Sequence, residues 1–135
     1  MSKLDREARR RIARAMLYKA YDLVRNAKRA KDLSRAFCDL LPYALKWLED
    51  PDDVPALYQE SISDVMPDRE LEDLCIKALE LKAGYRVAGL DGLRDRGLKY
   101  LSRFKPERFK EDYRWLKKSM RKWEKPFKKP VEVAF

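Results

Sequence analysis

The sequence predicts an all-α fold with a long basic N-terminal helix, a compact helical bundle and an extended C-terminal arm. Apolar residues recur at helical spacing along most of the 135 residues. All four glycines lie between Gly84 and Gly97, so long stretches of the chain contain no glycine. The length is that of a single structural domain. We divide it into residues 1–41, 42–125 and 126–135.

Residues 1–41 are predicted to form one long helix or a pair of helices. Neither glycine nor proline interrupts this stretch before Pro42. One helix continuing to Leu41 would be about 58 Å long, too long to lie wholly inside so small a domain. Asp32 and Ser34 are alternative N-caps for a second helix, because their side chains accept hydrogen bonds from free backbone N–H groups.

The first predicted helix is amphipathic. Its apolar side chains repeat at helical spacing and are expected to face the core: Leu4, Ala8, Ile12, Met16, Ala20, Leu23, Val24 and Ala27. Basic side chains collect on the opposite side of the helix: Arg10, Arg11, Arg14, Arg25, Lys28 and Arg29. We therefore expect these cations to form a surface for a negatively charged partner.

Proline, acidic residues and glycine divide the predicted bundle, residues 42–125, into a short apolar segment and four helices. The segment follows Pro42 and ends in an acidic turn at 49–53. The helices are expected from Asp53 to Pro67, Asp68 to Gly84, about Leu93 to Phe104, and Pro106 to Pro126. Asp68 is a predicted N-cap, and Gly84 stands where a left-handed residue ends a helix. Pro106 suits a first helical turn, where its backbone donor is not needed.

The last predicted helix has a packing seam and a second basic face. Large apolar residues repeat at alternating spacings of four and three: Phe109, Tyr113, Leu116, Met120 and Trp123. So short a seam should pack on the core or on a neighbouring subunit. The other face carries Lys110, Arg114, Lys117, Lys118, Arg121 and Lys125. Residues 126–135 contain two prolines, which predicts an extended arm that needs a partner to grip.

Charge is segregated along the chain. Lys and Arg number 32 against 23 Asp and Glu, for a net charge of +9. Residues 1–35 hold 12 basic and 4 acidic residues, residues 36–91 hold 5 and 13, and residues 92–135 hold 15 and 6. Segregated charge creates a field with a direction, which favours a negatively charged partner. The alternative is that the basic ends fold against the acidic middle and stabilise the protein.

The composition argues against catalysis and metal binding. Histidine and threonine are absent, which removes the commonest general base, the commonest metal ligand and one hydroxyl nucleophile. Carboxylate pairs such as Asp52 and Asp53 stand where capping or solubility explains them. We therefore expect a protein that is not an enzyme and has no cofactor, no metal site and no small-molecule substrate.

Cys38 and Cys75 are expected to be small buried apolar residues, because no CxxC pair or histidine accompanies them. A disulfide between them is the alternative. The chain is rich in Lys, Arg and Glu and has one Asn and one Gln, a composition typical of hyperthermophiles, whose intracellular proteins do contain disulfides. No segment predicts a signal peptide or a membrane span, so we expect a soluble protein.

Two basic helix faces predict sequence-independent binding to double-stranded DNA. Lys and Arg side chains bind phosphates and release counterions without reading bases. One Asn and one Gln leave few side chains to read base edges in the major groove. The predicted contacts are Arg10, Arg11, Arg14, Arg25, Lys28 and Arg29 of the first helix, with Lys110, Arg114, Lys117, Lys118 and Arg121 of the last. Residues 1–41 are therefore expected to wrap the nucleic acid.

The chain resembles the major coat proteins of filamentous viruses of hyperthermophilic archaea. The resemblance lies in chain length, helical content, the basic stretches Leu4–Arg35 and Pro106–Lys125, and the hyperthermophile composition. It implies paired subunits that wrap double-stranded DNA in the A form and stack as a helical filament. The implied partners are DNA and copies of the same chain, with room for a second related coat subunit. It also implies a location in the virion, and in the host cytoplasm during assembly. The protein would meet a membrane only indirectly, where the virion is enveloped.

Other functions are compatible with the sequence. The main alternative is a small helical, non-catalytic subunit of an RNA-guided, CRISPR-type ribonucleoprotein complex, which is also basic and lines a nucleic-acid groove. Further alternatives are an archaeal chromatin or transcription protein, and a protein-interaction module whose basic ends meet an acidic partner. Preference for duplex DNA over RNA, together with open-ended assembly, would distinguish a coat protein from all of these.

Overall fold

The computed structural model describes residues 3–50, 66–85 and 89–119. Within these ranges the regular elements are helical and no strand occurs, which confirms the predicted all-α class. In chain order they are α1 (Lys3–Arg25), α2 (Ala30–Ser34), a π-helical segment (Arg35–Leu40), α3 (Leu41–Glu49), α4 (Arg69–Lys82), α5 (Leu90–Leu101), 3-10 turns at Ser102–Phe104 and Pro106–Phe109, and α6, described over 110–119. The helix predicted from Asp53 to Pro67 and the arm predicted at 126–135 lie outside the described residues.

The long N-terminal helix is confirmed, but it ends at Arg25, so the prediction of one helix continuing toward residue 41 is wrong. Asn26 Nδ2 donates to the backbone oxygen of Asp22 at 3.0 Å and to its Oδ1 at 3.1 Å, which closes the last turn of α1. The second helix, α2, begins at Ala30 with Arg29 as its N-cap, so the prediction that Asp32 or Ser34 is the N-cap is wrong. Both residues lie inside α2, where Asp32 Oδ2 accepts from the backbone N–H of Lys28 at 3.4 Å. Residues 1–41 therefore form separate helical segments, as the alternative prediction of more than one helix expects.

The first helix fits against the bundle because its 23 residues make it only about 35 Å long. It packs against α3, the π-helical segment, α5 and the 3-10 turn at Pro106–Phe109. Several of its side chains are completely buried: Ala13, Ala15, Leu17, Ala20 and Val24. These small and medium side chains let neighbouring helices approach closely, so α1 forms a large part of the hydrophobic core.

Two predicted helix ends are confirmed in detail. Asp68 is the N-cap of α4, because its Oδ1 accepts a hydrogen bond from the backbone N–H of Leu71 at 2.8 Å. Its Oδ2 accepts from the Tyr100 hydroxyl at 2.9 Å, which ties α4 to α5. Burial, and then this hydrogen bond, raise the pKa of Tyr100 far above its usual range. At the other end of α4, Gly84 has a φ of 96°, the left-handed cap that the sequence predicts.

The chain between α5 and α6 changes direction at a left-handed residue. Lys105 has a φ of 48° and precedes the 3-10 turn at Pro106–Phe109, from which α6 continues. Pro106 therefore opens a 3-10 turn rather than the first α-helical turn that we predicted. The change in direction lets α5 lie beside the C-terminal end of α1, where Arg94 Nη1 donates to the backbone oxygen of Ala27 at 2.9 Å.

The two cysteines form a disulfide, which was the alternative to the predicted pair of unlinked buried residues. Cys38 lies in the π-helical segment and Cys75 in α4, and their Cα atoms are 5.2 Å apart. The bond forms because the π-helical segment packs directly on α4. Cys75 is fully buried, so the link lies against the hydrophobic core.

Candidate nucleic-acid interface

The two basic helices predicted from the sequence lie side by side and antiparallel. Near the C-terminal end of α1, the Tyr21 hydroxyl donates to Glu107 Oε1 at 2.8 Å. One turn earlier, the rings of Tyr18 and Tyr113 lie with their centroids 5.3 Å apart. Tyr113 and Phe109 belong to the predicted packing seam, and both pack within the chain, Tyr113 on α1 and Phe109 against the hydrophobic core. Both helices are therefore parts of one body.

Two of the predicted phosphate-binding arginines are held by α6 in ion pairs within the chain. Arg11 Nε lies 3.2 Å from Asp112 Oδ1, and Arg14 Nε lies 3.4 Å from Asp112 Oδ2. Arg14 also reaches Glu7 Oε1 at 3.3 Å, and the Arg11 guanidinium stacks over the Trp115 ring at 4.2 Å. At these positions the predicted binding face of α1 packs against α6. Their charges are compensated inside the protein and are therefore less available to a phosphate.

The other predicted cations of α1 are placed differently. Arg10 is half-buried, whereas Arg25, Lys28 and Arg29 are exposed at the end of the helix and in the turn that follows. Arg25 Nη2 lies 2.9 Å from Asp22 Oδ1, and its guanidinium lies 5.2 Å from the centre of the Tyr21 ring. The hydrogen bond that Arg25 donates to Asp22 raises the pKa of Arg25.

The outward side of α6 carries four exposed cations. Their positions differ by four, three and one, which places them on one side of the helix. They are Lys110, Arg114, Lys117 and Lys118. Arg114 Nη1 lies 2.7 Å from Glu111 Oε1, an exposed pair that water screens strongly. Arg121, the fifth predicted cation of this helix, lies outside the described residues.

Two further exposed cations precede α6, and our sequence reasoning did not select them. Lys105 holds the left-handed position, and Arg108 lies in the 3-10 turn with its guanidinium 4.6 Å from the centre of the Phe109 ring. Both residues lie in an irregular turn, where the spacing of an α-helical face does not apply. We name the exposed cations Lys105, Arg108, Lys110, Arg114, Lys117 and Lys118 the C-terminal basic surface.

Part of the acidic middle of the chain does pair with basic residues, as the alternative interpretation of the charge pattern expects. Arg96 of α5 lies 2.9 Å from Asp73 Oδ2, and Arg103 lies 2.9 Å from Glu70 Oε2. Hydrogen bonds from Lys77 and then from Arg96 lower the pKa of Asp73. These pairs join α4 to α5 and to the turn after it. They do not involve the C-terminal basic surface.

The described residues hold no group of three or more His, Cys, Asp or Glu side chains arranged to bind a metal ion. No helix in the described ranges is long and apolar enough to cross a membrane. An open depression of about 350 Å³ lies on α4 beside Arg69, Glu72, Asp73 and Ile76. The basic surface is convex helix rather than a cavity, so its geometry suits an extended polyanion better than a small anion.

Comparisons with protein-family models, with curated proteins and with solved structures found no match to this chain. The resemblance to coat proteins of filamentous archaeal viruses therefore stays a prediction.

Proposed function

We propose that this protein is a structural, non-catalytic subunit that coats double-stranded DNA through sequence-independent phosphate contacts and assembles with copies of itself. One observation carries the proposal: α6 presents Lys110, Arg114, Lys117 and Lys118 on its outward side while its inward side is fastened to α1. A row of cations on a rigid helix is a surface that phosphates can bind without any base being read.

The spacing of these cations suits a phosphate backbone. From Lys110 to Lys118 the helix rises by about 12 Å, while phosphates along one DNA strand are roughly 3.4 Å apart along the duplex axis. The row therefore runs alongside several consecutive phosphates. Lysine and arginine side chains are long enough to adapt to small mismatches in this spacing. Such a contact favours affinity over sequence discrimination.

The ion pairs of α1 have a positioning role in this proposal. Because Arg11 and Arg14 hold Asp112, and Tyr18 packs on Tyr113, α6 is ordered before any DNA binds. Preorganisation reduces the entropy lost on binding. Exposed Arg25, Lys28 and Arg29 supply a second set of phosphate contacts at the C-terminal end of α1. Half-buried Arg10 lies about 22 Å from Arg25 along the helix and adds charge near the other end.

The biological setting that we propose is the coat of a filamentous archaeal virus. Support comes from the helical fold, the basic ends and the hyperthermophile composition, to which the disulfide adds a feature known from hyperthermophile proteins. In this setting the subunit is located in the virion, and in the host cytoplasm during assembly. Its partners are DNA, further copies of the chain and, where the coat has two components, a related subunit.

The salt dependence of DNA binding tests the phosphate contacts. Replacing Lys117 and Lys118 by glutamine should flatten the slope of log affinity against log salt by about 1.8, since each lost contact contributes about 0.9. The matched control removes two charges that acids already compensate, with Arg96→Gln and Arg103→Gln. Fluorescence anisotropy with random-sequence duplex DNA measures both slopes. An equal slope in the wild type and the Lys117/Lys118 variant would remove α6 from the interface.

Electron microscopy tests the coating itself. Purified protein mixed with linear duplex DNA should form filaments of constant diameter whose length follows the DNA, and matched RNA or protein alone should not. Discrete particles, or a preference for RNA, would contradict the coat proposal and favour a subunit of an RNA-guided complex. Isolated proteins on otherwise bare DNA would favour a chromatin or transcription protein.

A further inference from the structure

One line of residues along α1 faces α6 and the turn that precedes it. Successive positions on this line differ by three or four, which keeps them on one side of the helix: Arg11, Arg14, Tyr18, Tyr21 and Arg25. The first four each contact a residue between 107 and 115. The Arg25 guanidinium lies 5.2 Å from the centre of the Tyr21 ring, so it continues the line to the end of α1.

Two groups of exposed cations meet at the end of this line. The Tyr21 hydroxyl donates to Glu107 Oε1 at 2.8 Å, while the ring of the same side chain lies against Arg25. Glu107 belongs to the 3-10 turn in which part of the C-terminal basic surface lies. We name the exposed cations Arg25, Lys28 and Arg29 the α1–α2 basic turn. It therefore adjoins the C-terminal basic surface, with one tyrosine side chain between the two groups.

We propose that the α1–α2 basic turn and the C-terminal basic surface bind one and the same DNA duplex, so that each subunit occupies about seven to nine base pairs. The proposal rests on the proposed function, which supplies duplex DNA as the ligand, and adds the extent of DNA that one subunit contacts. The competing arrangement places a different duplex on each group of cations and makes the subunit a bridge between two DNA molecules.

The length of the combined surface sets the number of base pairs. From Glu107 to Lys118 the chain rises by about 17 Å, toward the N-terminal end of α1 because the two helices are antiparallel. From Tyr21, which contacts Glu107, α1 rises by about 6 Å in the opposite direction to its end at Arg25. Because long side chains and the turn after α1 extend both ends, the surface spans about 23–30 Å. Base pairs spaced by roughly 3.4 Å fit this span seven to nine times.

The small gap between the two groups favours a single duplex. Arg25 and Glu107 contact the ring and the hydroxyl of the same tyrosine, so no more than one side chain separates the two groups. A duplex is wider than this gap, since its major groove alone is about 12 Å wide. Two duplexes lying side by side on adjoining groups would also repel each other through their phosphates. One duplex that lies along both groups avoids this repulsion and meets more cations.

DNA hairpins with stems of two lengths test the shared contact. On a stem of about 12 base pairs, Lys28→Gln/Arg29→Gln should flatten the slope of log affinity against log salt by about 1.8, as Lys117→Gln/Lys118→Gln should. A stem of about 6 base pairs is only about 20 Å long, and the C-terminal basic surface alone can hold it. There the loss in Lys28→Gln/Arg29→Gln should be less than half as large. Arg96→Gln/Arg103→Gln is the matched control, fluorescence anisotropy measures the slopes, and circular dichroism checks each fold.

Energy transfer between labelled hairpins tests whether one subunit holds two duplexes. Donor-labelled and acceptor-labelled hairpins with the longer stem are mixed in large excess over the wild type, so that each bound subunit has free duplex available. No transfer is expected, because one stem occupies both groups of cations. Transfer above the level of the hairpins alone would overturn the proposal, since it requires two duplexes on one subunit.

The slopes also separate this proposal from the proposed function. An unchanged slope for Lys28→Gln/Arg29→Gln on the longer stem, or equal losses on both stems, would overturn the shared contact. If Lys117→Gln/Lys118→Gln still flattens the slope in that case, α6 remains a DNA-binding surface and only the shared contact fails. If Lys117→Gln/Lys118→Gln leaves the slope unchanged, the proposed function itself loses its interface.

Discussion

At Gly97, a single hydrogen atom in place of a side chain decides how closely α5 approaches the π-helical segment and α1. A Cβ atom there would lie 2.8 Å from Phe37 Cε1 and 3.3 Å from Val24 Cγ1, and both of these side chains are fully buried. The Phe37 ring has no open space into which it can move in a densely packed core. Glycine is unfavourable in the middle of a helix, so its presence here reflects packing rather than helix propensity.

Substituting Gly97 by alanine should therefore destabilise the protein, by about 1–3 kcal/mol, because overpacking costs more than the gain in helix propensity. Urea unfolding measures the change. The control is Gly92→Ala in the same helix, where a new Cβ meets nothing within 4 Å. That substitution should stabilise the protein by about 0.5–1 kcal/mol. Equal effects of the two substitutions would show that Phe37 can adjust to a new methyl group.

At the scale of elements, the pairing of α1 with α6 depends strongly on one carboxylate. Asp112 is 20% exposed and accepts from both Arg11 and Arg14. Without it, two guanidinium groups would remain next to each other at the helix interface. The Asp112→Ala variant should lose about 1 kcal/mol of stability, a small value because both arginines are partly in water.

In Asp112→Ala, the amide exchange rates of α6 should change more than the free energy of global unfolding, because α6 would detach locally from α1. We expect the amides of 110–119 to exchange faster in Asp112→Ala, while those of α4 stay protected. Asp95→Ala, which removes an exposed carboxylate from α5, is the control. Unchanged protection of α6 would show that the aromatic contacts of Tyr113 and Trp115 hold the helix without Asp112.

Local signals in the sequence predict where several elements begin and end, whereas contacts between distant residues decide what each helix face touches. Asp68 and Gly84 were predictable because a cap and a left-handed residue depend on their nearest neighbours. The end of α1 was not predicted, because no glycine or proline marks it, although the hydrogen bonds of Asn26 and Asp32 join residues only four apart. Likewise the basic face of α1 is visible in the sequence, but its partner Asp112 lies about a hundred residues away.

At the scale of the whole molecule, the segregated charges act in two ways. Between α4 and α5 they are neutralised by ion pairs such as Arg96 with Asp73, which favour folding. Along α6 they stay exposed, which costs some stability through mutual repulsion. A protein that needed charge only for stability would distribute it more evenly. The exposed row therefore supports a negatively charged partner, and DNA should stabilise the fold when it binds.

The disulfide links two parts of the bundle that are distant in sequence, and we expect it to stabilise the fold. Cys38 and Cys75 are 37 residues apart, so the bond removes much conformational freedom from the unfolded chain. The entropy of closing such a loop corresponds to about 4 kcal/mol, equivalent to roughly 15 °C in the midpoint of thermal unfolding. Adding a reductant to the wild type should lower the midpoint by that amount, with helical content retained below it.

The helices should survive reduction because the π-helical segment and α2 still pack on α4 through buried apolar residues such as Leu33, Phe37 and Leu74. The double variant Cys38→Ala/Cys75→Ala separates loss of the link from other effects of the reductant. It should unfold at the midpoint of the reduced wild type and should not respond to reductant. If the double variant unfolds at the midpoint of the oxidised wild type, the bond contributes nothing measurable, and packing between the π-helical segment and α4 accounts for the stability of this part of the fold.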